Sequence, residues 1–130
     1  MIFYLDTSAW IAWRFKQKGQ EILKKVSLKE ETIISSTLLV PEYVGFLQRE
    51  SYLQSTRFED ELEFIQWVYP SEPLFKECLQ SAEKGSLRGA DLHHLATALW
   101  FCEGSPKEIC FLSCDHQQIQ VAHKLGFKSL

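Results

Sequence analysis

In the opening stretch MIFYLDTSAW, an apolar run from Ile2 to Leu5 ends on Asp6, with the hydroxyls of Thr7 and Ser8 directly behind it. Asp115 closes the stretch ICFLSC in the same manner. Two further acids stand where acids are unusual: Glu42, among apolar neighbours in LLVPEYVGFL, and Asp91, in RGADLHHLATAL. Four carboxylates drawn to within ~4–5 Å of one another would repel by several kcal/mol per pair at an effective dielectric near ~20. Such a cluster is stable when protons or cations neutralise it. Hard oxygen ligands suit Mg²⁺ or Mn²⁺, which keep several waters and share the rest of their coordination with substrate phosphates. The chemistry natural to such a site is phosphodiester hydrolysis, in which metal lowers the pKa of the attacking water and stabilises the leaving oxygen. A plainer role competes at each position. Asp6, Asp91 and Asp115 are placed to cap helices or favour their dipoles, and Glu42 to form a structural salt bridge. The metal reading predicts that Asp6→Asn, by relieving repulsion, melts above wild type in EDTA.

These acids need a scaffold, and the apolar patterning supplies one. Ile2–Leu5 reads as a first strand, and Thr7 to about Lys18 as a helix punctuated by Gly19. Helical spacing continues over Gln20–Ser27, and the β-branched Thr32–Ser35 reads as a second strand. Leu38 to about Leu53 is helical, with Pro41 in the first turn or kinking the helix. A helix over Arg57–Glu63 precedes a third strand in FIQWVYP, which Pro70 stops. Leu74–Glu83 is a helix closed by Gly85, and Ala90–Cys102 has the strongest apolar face in the chain. Ile109–Leu112 is a fourth strand, and Gln117–Leu125 a last helix with Gly126 as its C-cap. A short final strand is expected at Phe127–Leu130. Strands separated by helices make a parallel sheet covered on both faces, an α/β sandwich. Ligands in such folds bind beyond the carboxyl ends of the strands, where Asp6 and Asp115 both fall.

The bulk composition excludes several classes. A chain of 130 residues with 45% hydrophobic and 24% charged residues is that of an ordinary globular domain. No apolar run approaches the ~20 residues of a membrane span, and no leader of the secretory kind is read. The four cysteines are therefore expected as reduced thiols in a cytoplasmic protein. A net charge of −3 argues against holding nucleic acid by bulk positive charge, while leaving it open as a transient substrate.

The stretches around the four acids resemble, in order, the motifs of PIN-domain proteins, of the small type found as toxins of VapBC toxin–antitoxin pairs. YLDTSAWI resembles that family's opening strand–Asp–hydroxyl motif, and ISSTLLVPEYVGFL its second. RGADLHHLATAL is close to its third, and FLSCDHQQIQVAHKLGF resembles its fourth. The resemblance covers essentially the whole chain, and each motif is loose where the ordered set is specific. It implies one PIN domain over residues 1–130, folded as a three-layer α/β/α sandwich with a short central parallel sheet of four to five strands. It further implies a metal-dependent endoribonuclease acting on RNA, a homodimer, and inhibition by a cognate antitoxin. Carried over by position, Asp6 and Asp91 are the principal metal ligands and Asp115 binds directly or through water. Glu42 ligates or orients the attacking water. Thr7, Ser113 and His94 support the acids by hydrogen bonds. Gln117 and Gln118 stand where some relatives carry a further acid, so no fifth acid is assigned.

Other residues have simpler readings. His94, three residues after Asp91, braces the helix or bonds an acid rather than binding metal. Cys110, Cys114 and His116 lack a fourth ligand at zinc spacing. Trp10 and Trp13 are expected to pack. Arg14, Lys16, Lys18, Arg49 and Arg88 are candidate phosphate contacts. A response-regulator-like phosphoacceptor would want a second acid beside the first, and an Asp-x-Asp phosphatase fails because DTS lacks its second acid. The chain has no Gly-rich phosphate loop. A non-catalytic PIN-like module that binds RNA or protein is the remaining alternative.

Overall fold

A computed structural model covering residues 1–130 shows β1 (Ile2–Leu5), α1 (Thr7–Arg14), α2 (Glu21–Lys24), β2 (Thr32–Ser36), α3 (Leu39–Arg49) and α4 (Phe58–Glu61). These are followed by β3 (Ile65–Val68), α5 (Phe75–Ala82), α6 (Gly89–Cys102), β4 (Ile109–Leu112) and α7 (His116–Leu125). Short 3₁₀ turns at Leu53–Ser55 and Pro106–Glu108 complete the chain.

The four strands form one sheet in the order β3-β2-β1-β4. Every pairing is parallel, with Phe3 opposite Ile33 on one side and Cys110 on the other. Side chains alternate across the sheet, so each strand feeds two cores. Phe3, Leu5, Ile33, Ile65, Cys110 and Leu112 pack with residues of α1 to α4, among them Trp10, Leu39 and Tyr43. Tyr4, Ile34, Val68, Ile109 and Phe111 pack on the opposite face against Leu95 and Ala98 of α6 and Val121 and Ala122 of α7. This is the PIN-like α/β/α sandwich expected, with four strands. A fully buried Leu or Ile here, such as Leu5 or Ile33, contributes ~1.5–3 kcal/mol. No helix is long and apolar enough to cross a membrane, and all four cysteines are free thiols.

Two expected helices are shorter than their patterns, for one shared reason. After α1, Lys16 turns into the left-handed region (φ 53°) and the Gln17 N–H reaches back to the Ala12 carbonyl. After α3, Ser51 does the same (φ 61°), and the Tyr52 N–H bonds the Leu47 carbonyl. Both are Schellman closures, which glycine usually provides. Glycine does provide it at Gly126 (φ 102°), the end of α7 that the pattern located correctly. The helical stretch Gln20–Ser27 shrinks to the single turn of α2. The expected final strand is reduced to one bridge between Lys128 and Cys110. Pro41 lies in the first turn of α3, where its missing N–H would have had no helical partner.

The topology locates a crevice. β1 pairs with β2 on one side and β4 on the other, so successive strands run outward from β1 in one direction and β4 falls on the other. Ligands in open parallel sheets bind at such a switch point, outside the carboxyl ends of the strands.

Candidate active site

Asp6 stands at that crevice. Its backbone N–H donates to the Leu112 carbonyl (2.9 Å), which ties the ends of β1 and β4 together. It is also the N-cap of α1: one carboxylate oxygen, Oδ2, accepts from the Ser8 N–H (3.1 Å) and the Ser8 hydroxyl (2.5 Å). The other, Oδ1, accepts from the Gln118 side-chain amide (3.2 Å). The capping role read from sequence is therefore real, and it holds an acid that is only 4% exposed. A buried carboxylate is tolerable when it accepts several hydrogen bonds of this kind.

Asp115 caps α7 through its Oδ1 and the Gln118 N–H (2.9 Å), and it is exposed at the crevice rim. Glu42, from the first turns of α3, uses Oε1 to accept from the Thr7 hydroxyl (2.8 Å) and from His94 Nε2 (2.7 Å). The structural pairing expected for Glu42 is thus present, with histidine as the partner. Burial opposes ionisation of Glu42, but the His94 hydrogen bond and charge, with Thr7, hold it below the usual carboxylate range.

Asp91 is different. It is the third residue of α6 and makes no side-chain hydrogen bond; the cap expected from its place in the first turn does not form. Its pKa is raised, first by burial and then by the negative charges of Asp6, Asp115 and Glu42. One carboxylate of the four is therefore held against like charges with no donor to compensate it.

The four acids line a trough of two neighbouring lobes that share Glu42 and Asp91 in their walls. Asp6, Glu42 and Asp91 border one lobe of about 340 Å³, and Glu42, Asp91 and Asp115 border the next, of about 640 Å³. No three of them close into a ready metal cage. The donor set nevertheless fits a divalent cation that keeps most of its water: hard oxygens, no Lys or Arg paired with any of them, and one carboxylate left uncompensated. Mg²⁺ binds through one or two carboxylates plus substrate phosphates rather than in all-protein cages. A larger groove of 800 Å³ lies between α5 and the ends of α6 and α7, but alternating Lys and Glu line it and none of the four acids does.

His94 is completely buried and links the site to the sheet. Its Nδ1 lies 2.8 Å from the Tyr4 hydroxyl, and its Nε2 lies 3.7 Å from Asp6 Oδ1 as well as against Glu42. The expectation that it bonds an acid is met. Thr7 and Ser113 are also hydrogen-bonded where expected, Ser113 Oγ lying 2.6 Å from Gln118 Oε1 and 3.4 Å from Asp6. Trp10 packs in the core at 2% exposure, with Trp13 tilted against it. Arg14 is not available to a phosphate, because it is ion-paired with Glu61 of α4.

Sequence reasoning missed Ser8, Tyr4 and Gln118. Gln118 was read as the absence of an acid, yet it is fully buried and bonds Asp6, Ser113 and, at 3.4 Å, the Asp91 carbonyl. The signal was present: Asp115-x-x-Gln118 has the spacing of a capping box. Here the amide turns inward rather than back to the cap, since Ser113 takes the Asp115 N–H (3.0 Å). Gln118→Ala is expected to cost ~2–3 kcal/mol, by stranding Asp6 and Ser113 in a buried site. A urea midpoint within error of wild type would show that the amide is dispensable.

The chain matches the PIN domain family over residues 3–124, and it belongs to that family. PIN domains are generally nucleases and typically use divalent metals. No curated protein matches the chain.

Proposed function

We propose that this PIN domain is a metal-dependent endoribonuclease, the toxin of a type II toxin–antitoxin pair of the VapBC kind, acting in the cytoplasm as a homodimer. The observation that carries the nuclease reading is the unpartnered Asp91 carboxylate, facing Asp6, Glu42 and Asp115 in an open trough at the switch point of the sheet. Such an arrangement costs stability and makes chemical sense as half of a cation site. Asp6 and Asp91 would hold Mg²⁺ or Mn²⁺, with Asp115 at the rim binding directly or through water. The bound metal supplies an activated water and charge stabilisation at the phosphate. The chain's own residues do the rest. Ser8, Ser113 and Gln118 fix the Asp6 carboxylate. Thr7 and His94 occupy one oxygen of Glu42, leaving Oε2 to orient a water. The toxin role, the antitoxin and the dimer rest on the motif resemblance.

Cleavage of total cellular RNA by the purified protein tests this directly. Discrete fragments are expected with Mg²⁺ or Mn²⁺, none with EDTA, and a loss of at least ~10²-fold in Asp6→Asn and Asp91→Asn, the scale of removing one transition-state contact. A folded, antitoxin-free protein that binds Mn²⁺ and RNA but never cuts would instead be the non-catalytic binding module.

A further inference from the structure

Five basic residues were candidates for phosphate contact, and the fold separates them. Arg14 is committed to Glu61. Lys16 and Lys18 lie on the turn after α1 and border neither lobe of the carboxylate trough. Arg49 and Arg88 do border it, one in each lobe. Arg49 lies in the last turn of α3, seven residues from Glu42, so two helical turns carry it ~10 Å along the axis on the same face. Arg88 is the N-cap of α6, three residues before Asp91, and lies in the lobe that Asp115 borders. Both side chains are exposed, and neither makes an ion pair or a side-chain hydrogen bond. That is unusual for guanidinium groups each sharing a cavity with three acids, and it leaves all of their donors free.

We infer that Arg49 and Arg88 anchor the RNA backbone on the two sides of the carboxylates, so that a single strand runs from the C-terminal end of α3 across Glu42 and Asp91 to the start of α6. This rests on the nuclease reading above and specifies the substrate path. The chemistry is complementary: a fork of N–H donors suits phosphate oxygens, while the acids between the anchors repel a backbone until cations neutralise them. The two arginines thus hold the flanking phosphates, and the scissile one lies over Asp91. With a net charge of −3 the chain does not attract RNA by bulk charge, so retention falls to basic groups placed at the site.

The test is equilibrium binding of a fluorescein-labelled oligouridylate by anisotropy across a salt series, in Ca²⁺, with gel control of RNA integrity. Each phosphate contact to a single strand contributes about −0.7 to the slope of log K against log salt. Arg49→Ala and Arg88→Ala are each expected to flatten the slope by about 0.7, and the double variant by about 1.4. Lys16→Ala with Lys18→Ala is expected to leave it unchanged. Mn²⁺ affinity, measured separately by calorimetry, should be the same in all of them, which excludes an indirect effect through the acids. Wild-type slopes in either arginine variant would overturn the path while leaving the nuclease reading intact. If the wild type itself binds no RNA with or without metal, the nuclease reading fails and the path with it.

Discussion

Replacing His94 by alanine is expected to destabilise the metal-free protein by about 3–5 kcal/mol, the cost of deleting a fully buried ring together with the hydrogen bonds it gives a buried hydroxyl and a half-buried carboxylate. In a domain of this size that lowers the melting temperature by roughly 10–20 °C. Three losses combine. Glu42 keeps its Thr7 bond but loses the shorter contact to Nε2 (2.7 Å). The Tyr4 hydroxyl, fully buried, loses Nδ1 at 2.8 Å. The imidazole also packs edge-on against the Tyr4 ring, which itself stacks on Phe111 at 5.1 Å, so its removal opens a cavity in the sheet's second core. Melting followed by circular dichroism in EDTA measures the effect. A fall of less than ~1 kcal/mol, the value of an exposed pair, would mean that the contact is not a paired charge.

The same pair sets a pH dependence whose sign can be worked out. Burial disfavours the charged imidazole, but the Glu42 hydrogen bond and the charges of Asp6, Glu42 and Asp91 outweigh it, and the His94 pKa is raised. A raised folded pKa gives stability that is fully present below the unfolded value of about 6.5 and is lost as pH climbs through the folded one. Glu42 is shifted the other way. Its contribution is present above the unfolded value of about 4.3 and is lost as pH falls through the depressed folded value. The pair therefore supports the metal-free fold best between roughly pH 4.5 and 6.5. His94→Gln, which retains a donor but no charge, should flatten the alkaline side of that profile.

Why some of this was legible in the sequence and some was not comes down to the range of the interactions. The strands and their two-faced burial were readable because alternation is local: Phe3 and Leu5 face one core while Tyr4 faces the other. The end of α7 was readable because Gly126 marks it. The ends of α1 and α3 were not, because Lys16 and Ser51 adopt the same left-handed turn without a residue type that signals it. The four acids could be named from position alone, but their inequality could not. Asp6 and Asp91 are matching carboxylates in the motifs; what separates them is Ser8, Ser113 and Gln118 converging on one and nothing on the other. Gln118 is 112 residues from Asp6 along the chain, and no local pattern reports such a contact.

That inequality revises the expectation for Asp6→Asn. In EDTA this variant should melt below wild type, not above it. Asp6 accepts from Ser8 at one oxygen and from Gln118 at the other, so an asparagine sets its NH₂ either against the Ser8 donors or against Gln118, whose amide must then turn over and give up its bond to the Asp91 carbonyl. The mismatch in a site 4% exposed costs about 1–2 kcal/mol. Relief of repulsion belongs instead to Asp91→Asn. Its raised pKa means that ionisation at neutral pH weakens the fold, and no hydrogen bond is lost on substitution. The α6 dipole opposes the gain by ~0.3–1 kcal/mol. Three carboxylates acting on a half-exposed group leave a net benefit of about 0.5–1 kcal/mol, or roughly 2–4 °C. By the sign of the shift, that benefit should fade as pH falls through the raised folded value and be gone below the unfolded value of about 3.9. Saturating Mn²⁺ should reverse the ranking, since a ligand at ~100 times its Kd adds ~2.7 kcal/mol to the form that binds it. Wild type would then melt above Asp91→Asn. A wild type indifferent to Mn²⁺, with Asp91→Asn no more stable in EDTA, would show that the trough neither strains the fold nor holds a cation. An Asp6→Asn variant more stable than wild type would show that its hydrogen bonds fail to offset the repulsion among the acids.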